Sequence, residues 1–312
     1  MRPKDRELAR QLDAALSAFD RDVRRLPGIR EQARRQALLE QIVESVHRIQ
    51  YVSVVDQNEP SAFYTNPSNE FFDPLKAAMV RRREGQIDEA FWLVFVFVHF
   101  GRGGRTGWRL ARDVYGRLGQ GDAWTWARVS ANPGEFRRWL AANQNILHGG
   151  DGIPRKFGNH RKYQSLDARS EFGTGAAFES YVNWVRPHGS HRALIEDAQN
   201  RSGNDRRKTF RFLYRSMKAV ASFGRTARFD YVTMIGKLRL ANVEPDSTYM
   251  SGATGPVQGA RLLFGANMAP ATLDKLLLEL EPHLNLPFGM QVLEDALCNW
   301  QKSPDSFVPF RG

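Results

Sequence analysis

The sequence predicts an all-α fold, and three observations predict it. Apolar residues recur at helical spacing in one segment after another. No stretch of any length alternates apolar with polar residues as a half-buried strand would. The periodic segments also end at proline- or glycine-bearing breaks, where helices stop. With 312 residues, 42% hydrophobic and 11% aromatic, the chain can bury a core without staples, as one large domain or two smaller ones.

Residues 5–25 place Leu8, Leu12, Ala15, Leu16 and Phe19 on one face of a charged helix that Pro27-Gly28 stops. Residues 30–55 continue with Ala33, Ala37, Leu38, Ile42, Val46 and Ile49. Both are expected to be packing helices. Residues 56–73 have prolines, asparagines and no period, so they read as a loop whose Phe63, Tyr64, Phe71 and Phe72 are expected to anchor it to the core, the alternative being that they line a groove or pocket. Pro74–Glu84 is a short helix. Gln86–Phe100 follows and contains the ten-residue run FWLVFVFVHF. A membrane span needs roughly 20 residues, so this run predicts a buried helix, closed by His99. Gly101–Gly107 is glycine-rich and basic but lacks the Gly-Lys-Ser/Thr ending of a phosphate loop and follows a helix. It reads as a flexible basic turn whose Arg102 and Arg105 are candidate contacts to DNA phosphates. Trp108–Leu118 is a helix, and Trp124–Ala142 is two helices broken at Asn132-Pro133-Gly134. Arg169–Arg186 is helical in its second half and ends at Pro187. Pro270–Leu280 and Pro287–Gln301 close the chain, with Cys298 and Trp300 as core residues.

Charge narrows the function. A net charge of +11 favours a polyanionic partner, nucleic acid before anionic membrane. The single cysteine, Cys298, excludes a disulfide framework and a four-cysteine iron–sulfur cluster. His188 and His191 have no cysteine or carboxylate beside them in sequence, so no metal is expected, and no cofactor. MRPKDRELAR has no apolar targeting core; a cytoplasmic monomer is expected.

The stretch Phe212–Gly255 organises the rest. Phe212, Leu213, Met217, Val220 and Ala221 repeat at helical spacing, Ser222-Phe223-Gly224 interrupts them, and Phe229, Val232, Met234, Ile235 and Leu238 resume. Gly224 is expected to take a positive φ, and Ser222 or Thr226 to cap the second helix. A turn of this kind can aim backbone N–H groups at a phosphate. Ser222, Gly224, Arg225, Thr226 and Arg228, with Arg211 and Lys218, are therefore candidate contacts to a DNA backbone. Arg201–Arg228 holds nine Lys/Arg residues against one acid, Asp205, and reads as the track for that backbone. Asp246, in VEPDSTY, lies 22 residues after Gly224.

Helix, glycine-bearing hairpin, helix and Asp loop together resemble the helix-hairpin-helix DNA glycosylase superfamily. The resemblance implies a glycosylase-like helical body over 85–312 behind an N-terminal helical extension over 1–84. It also implies a catalytic carboxylate, Asp246. The lysine of bifunctional members is replaced by Arg225, Thr226 and Ala227. An abasic product without Schiff-base strand cleavage is therefore expected.

Asn143–Leu166 is the second informative stretch. Arg155, Lys156, Arg161 and Lys162 are interleaved with Phe157 and Tyr163 among glycines. Cations suit phosphates, and rings suit an extruded base. Asn145, His148, Asn159, His160 and Tyr163, with His99, are candidate base-pocket residues; the four cations form a candidate phosphate loop. FGNHRKYQSL, together with FWLVFVFVHFGRGG, SFGRTARFD and SGATGPVQGARLLFG, is similar to the alpha-glutamyl/putrescinyl thymine pyrophosphorylases, a divergent branch of that superfamily. The branch implies double-stranded DNA carrying hypermodified pyrimidines, as in phages, and a role in antiviral defence. Excision of the modified base is the first expectation. The alternatives are transfer chemistry that displaces pyrophosphate from an activated thymine, and non-catalytic DNA binding.

Overall fold

The computed structural model describes residues 3–265 and 267–309. Their helices, in order, are α1 Pro3–Asp22, α2 Gln32–Gln57, α3 Pro74–Arg83, α4 Ile87–Phe100, α5 Arg109–Tyr115, α6 Trp126–Ala131, α7 Pro133–Asn145, α8 Thr174–Val185, α9 His191–Arg201, α10 Arg206–Ser216, α11 Arg225–Lys237, α12 Gly255–Phe264, α13 Pro270–Leu284 and α14 Gly289–Trp300. Among the described residues there is no strand, only the isolated bridges Gly103–Gly107 and Ser165–Gly173. The fold is all-α, as the periodicity predicts. No described helix is long and apolar enough to cross a membrane.

Two helices differ from the sequence reading. α5 stops at Tyr115 rather than Leu118, because Arg117 and Leu118 adopt left-handed φ of 54° and 57°. α9 has no counterpart in that reading. Its apolar set is short (Leu194, Ile195, Ala198), but Ser190 is a legible cap: its Oγ accepts the Ala193 N–H at 3.1 Å.

Contacts divide the chain into two units. Among the described residues, one combines those up to Val52 with those from Pro245 to 309. There the apolar faces of α1 (Leu12, Leu16, Phe19) and α2 (Leu38, Ile42, Val46) share one buried cluster with Leu263, Leu273, Leu277, Leu293 and Trp300. Each such side chain contributes about 1.5–3 kcal/mol on burial. Asp295 adds a polar clamp, accepting from Ser45 Oγ at 2.9 Å and Arg48 Nη2 at 2.6 Å. Trp300 is buried as expected, whereas Cys298 is half-buried.

The other unit is Ser53–Glu244, built around α4. From Ala90 to Phe100 every α4 side chain except Phe97 is buried. Phe95 and Trp92 meet Tyr181 and Phe178 of α8 at ring-centroid distances of 4.1 and 4.9 Å. In the loop before α3, Phe72 is buried and stacks on Tyr115 at 5.4 Å. Phe63 and Phe71 do not anchor: they are 51% and 57% exposed and pack on each other. A polar chain threads four helices, running inward from the half-exposed Asp88. Asp88 Oδ1 accepts from His191 Nδ1 (2.6 Å), His191 Nε2 meets Tyr181 Oη (2.8 Å), and Tyr181 Oη meets Tyr231 Oη (2.7 Å).

Candidate functional site

The hairpin begins where α10 ends at Ser216; a single 3-10 turn, Met217–Ala219, leads into Ala221-Ser222, and α11 starts at Arg225. Phe223 is the apolar anchor, buried and stacked on Phe95 at 5.0 Å. Ser180 Oγ accepts the Ala221 N–H at 2.8 Å and ties the turn to α8. Two local expectations are corrected. The left-handed residue is Ser222, at φ 61°, whereas Gly224 is extended at φ −66°, ψ −171°. No side chain caps α11 either, since the Ser222 hydroxyl donates to the Phe172 carbonyl while Gln164 Nε2 donates to the Ser222 carbonyl at 3.0 Å.

Gly224 therefore lacks an internal cause. Its φ suits any residue, and a Cβ built on it would meet nothing within 4 Å. A bare backbone at a helix start is what close approach of a phosphate requires. Of the other backbone-contact candidates, Thr226, Lys218 and Arg211 are exposed. Arg228 folds back, its Nη1 donating to Tyr214 O at 3.3 Å with the guanidinium 4.4 Å from the Tyr214 ring. Arg225 is half-buried, its guanidinium 5.9 Å from the Phe229 ring.

The four cations of the Asn143–Leu166 loop divide into two kinds. The Arg155 side chain is 3% exposed. It donates to Asp113 at 2.6 Å, to both oxygens of Asp151 at 2.8 Å and to the Ile146 carbonyl. These bonds raise its pKa and hold the Asp151 carboxyl at about 2. Arg161 is buried, donating through Nε to Val98 O (2.7 Å) and through Nη2 to Asp230 (2.5 Å). Lys156 and Lys162 are exposed. Gly158 carries the crossing of this loop over the basic turn: a Cβ there would lie 2.9 Å from the Arg102 backbone.

The base-pocket candidates divide similarly. Asn145, His148, Asn159 and His160 are exposed, as is Tyr163 at 91%, with Lys162 Nζ 5.0 Å from its ring. His99 is instead inside the core, near Phe95, Phe100, Phe157, Phe178 and Phe223. Thr174 Oγ1 donates to Ser165 O, so it accepts from His99 Nε2 (3.0 Å), which fixes the tautomer. Burial, with the nearby Arg161 charge, lowers the His99 pKa to about 3, so the ring is neutral.

Asp246 belongs to the unit that holds α1, α2 and α12–α14, and the hairpin to the other. Asp246 is 6% exposed and accepts from Tyr249 Oη at 2.6 Å. Its loop is fastened by Asp274 of α13. That carboxylate accepts from Ser247 Oγ (2.9 Å), Thr248 Oγ1 (2.7 Å) and the Met250 N–H (3.1 Å), and Tyr249 takes a left-handed φ of 50°. Sequence reasoning missed Tyr249 and Asp274. The run of hydroxyls after Asp246 was the available signal for a carboxylate partner.

A family model described as alpha-glutamyl/putrescinyl thymine pyrophosphorylase clade 3 matches residues 33–312. No curated protein and no solved structure matches.

Proposed function

We propose, from the premise that this chain belongs to the alpha-glutamyl/putrescinyl thymine pyrophosphorylase clade 3 family, that it is an enzyme acting on a modified thymine in DNA. The base is everted and excised, leaving an abasic site. The observation that carries the reading is the hairpin at Gly224: an uncapped helix start and a glycine with no internal cause, in a segment that also carries the exposed Lys218. That combination suits a phosphodiester backbone. Gripping the backbone offsets the few kcal/mol needed to unpair and unstack one nucleotide.

Excision breaks the C1′–N bond through an oxocarbenium-like sugar, and water adds at C1′. Asp246 is the carboxylate proposed to stabilise that cation or to take the proton of the water. The Tyr249 hydroxyl at 2.6 Å holds it in place. Arg225, Thr226 and Ala227 supply no amine at the start of α11, so the strand stays intact after the base leaves. A protein that removes a phage-type base would act in defence against the phage that carries it.

The family description favours a second reading, displacement of pyrophosphate from an activated thymine by an amine or amino acid. The products separate the two. Incubation with natural and hypermodified phage DNAs, followed by mass spectrometry, yields a free base and an abasic site for excision, or an enlarged base still on its sugar for transfer. Asp246→Asn is expected to lower base release at least about a thousandfold while DNA binding persists. Unchanged release would remove Asp246 from the mechanism. Salt-sensitive binding to plain duplex with no product from any DNA would leave a binding module only.

A further inference from the structure

The outer face of α10 carries a groove of about 770 Å³. Arg201, Lys208, Arg211 and Arg215 line it around Phe212, and no acidic residue does. The cause lies in the local sequence. Asp205, the one acid of the segment, is used at the helix start, where it accepts the N–H groups of Arg207 and Lys208 at 2.9 and 2.8 Å. Lys208, Phe212 and Arg215 then fall at i, i+4 and i+7, on one stripe of the helix. Lys208 and Arg215 are exposed and form no ion pair among the described residues. Arg201 is held by Asp197 at 2.8 Å, with its guanidinium 5.7 Å from the Phe212 ring.

The groove therefore offers positive charge and a ring together. A duplex presents phosphates but keeps its base faces stacked. An isolated phosphate leaves the ring unused. An unpaired strand uses both, its phosphates on the cations and a base on the ring.

We infer that this groove binds single-stranded DNA, with Lys208 and Arg215 tracking the backbone and Phe212, flanked by Arg201, stacking a base. The inference rests on the DNA reading above and extends it: the chain engages DNA with an unpaired stretch as well as duplex.

The test is fluorescence anisotropy of the full chain with a labelled, unmodified thymine oligonucleotide and with an unmodified duplex of equal length, across a salt series. Phe212→Leu keeps apolar bulk and loses the π-face. It is expected to weaken single-strand binding about five- to a hundredfold and to change duplex binding less than about twofold. Lys208→Glu/Arg215→Glu is expected to weaken single-strand binding and to flatten its log–log salt slope by about 1.4. Wild-type single-strand affinity in Phe212→Leu, or equal losses on both DNAs, overturns the stacking role. An unchanged slope in the double variant overturns the track. If the wild-type protein binds neither DNA, the nucleic-acid reading itself fails, a result distinct from failure of the groove.

Discussion

The basic loop Asn143–Leu166 and the basic run Arg201–Arg228 look alike as sequence, but their charges are used differently. In the loop, Arg155 and Arg161 are turned inward onto Asp113, Asp151 and Asp230, and only Lys156 and Lys162 face outward. In the run, Arg206 and Arg207 share the buried Glu244 at 2.9 and 3.2 Å, but Lys208, Arg215 and Lys218 are exposed. The difference is set by the acids within reach. A guanidinium that meets a carboxylate in a planar fork becomes part of the framework, and its charge is neutralised where it sits. The number of cations in a segment is thus no measure of the charge it presents to a polyanion.

Cutting an inward arginine tests that distinction most severely. Arg161→Ala leaves Asp230 and the Val98 carbonyl without their donor and is expected to cost about 3 kcal/mol, a fall in Tm on the order of 5–10 °C. Lys162→Ala, one residue on, is expected to stay within about 0.5 kcal/mol of wild type. Equal shifts of both variants in thermal unfolding would erase the division between framework and surface cations.

The contrast also has a pH signature. His99 is neutral in the fold down to pH about 3, whereas in the unfolded chain it takes up a proton below about 6.5. As pH falls between those values the unfolded state binds the extra proton, and stability drops by about 1.4 kcal/mol per pH unit, or about 2 kcal/mol by pH 5. His191, lowered by burial, acts in the same direction. Asp151, lowered by its Arg155 hydrogen bonds, contributes only below pH about 4, where its unfolded form protonates. Denaturant titrations at pH 7, 6 and 5 are expected to give a flatter stability curve for His99→Gln than for wild type. A variant that declines as steeply would show that the ring is not held neutral.

What was legible in the sequence follows from the range of the interactions. The all-α class, α4 as a buried helix and the break at Asn132 are local consequences of period and of proline and glycine. The hairpin was legible as a turn, but its dihedrals were not. Ser222 takes the left-handed position where Phe172 and Gln164, 50 and 58 residues earlier, hold its hydroxyl and carbonyl. The inward turn of Arg155 and Arg161 depends on Asp113 and Asp230, 42 and 69 residues away. Asp246 could be singled out as a candidate from its place after Gly224, whereas its loop's fastening by Asp274, 26 residues beyond Thr248, was not legible. Nothing in residues 1–52 announces that their core partners come after Pro245.

The finest expected difference concerns the outward lysines of the two regions. If both regions touch the same duplex, each lysine that meets a phosphate adds about 0.9 to the log–log salt slope. Lys162→Ala and Lys218→Ala are then each expected to weaken duplex binding about two- to fivefold and to lower the slope by about 0.9. Neither change touches an internal carboxylate, so thermal unfolding should not move with it. A slope that falls for Lys218→Ala but not for Lys162→Ala would confine the backbone to the hairpin side. Lys162, 5.0 Å from the ring of the exposed Tyr163, would then serve to hold that aromatic rather than a phosphate.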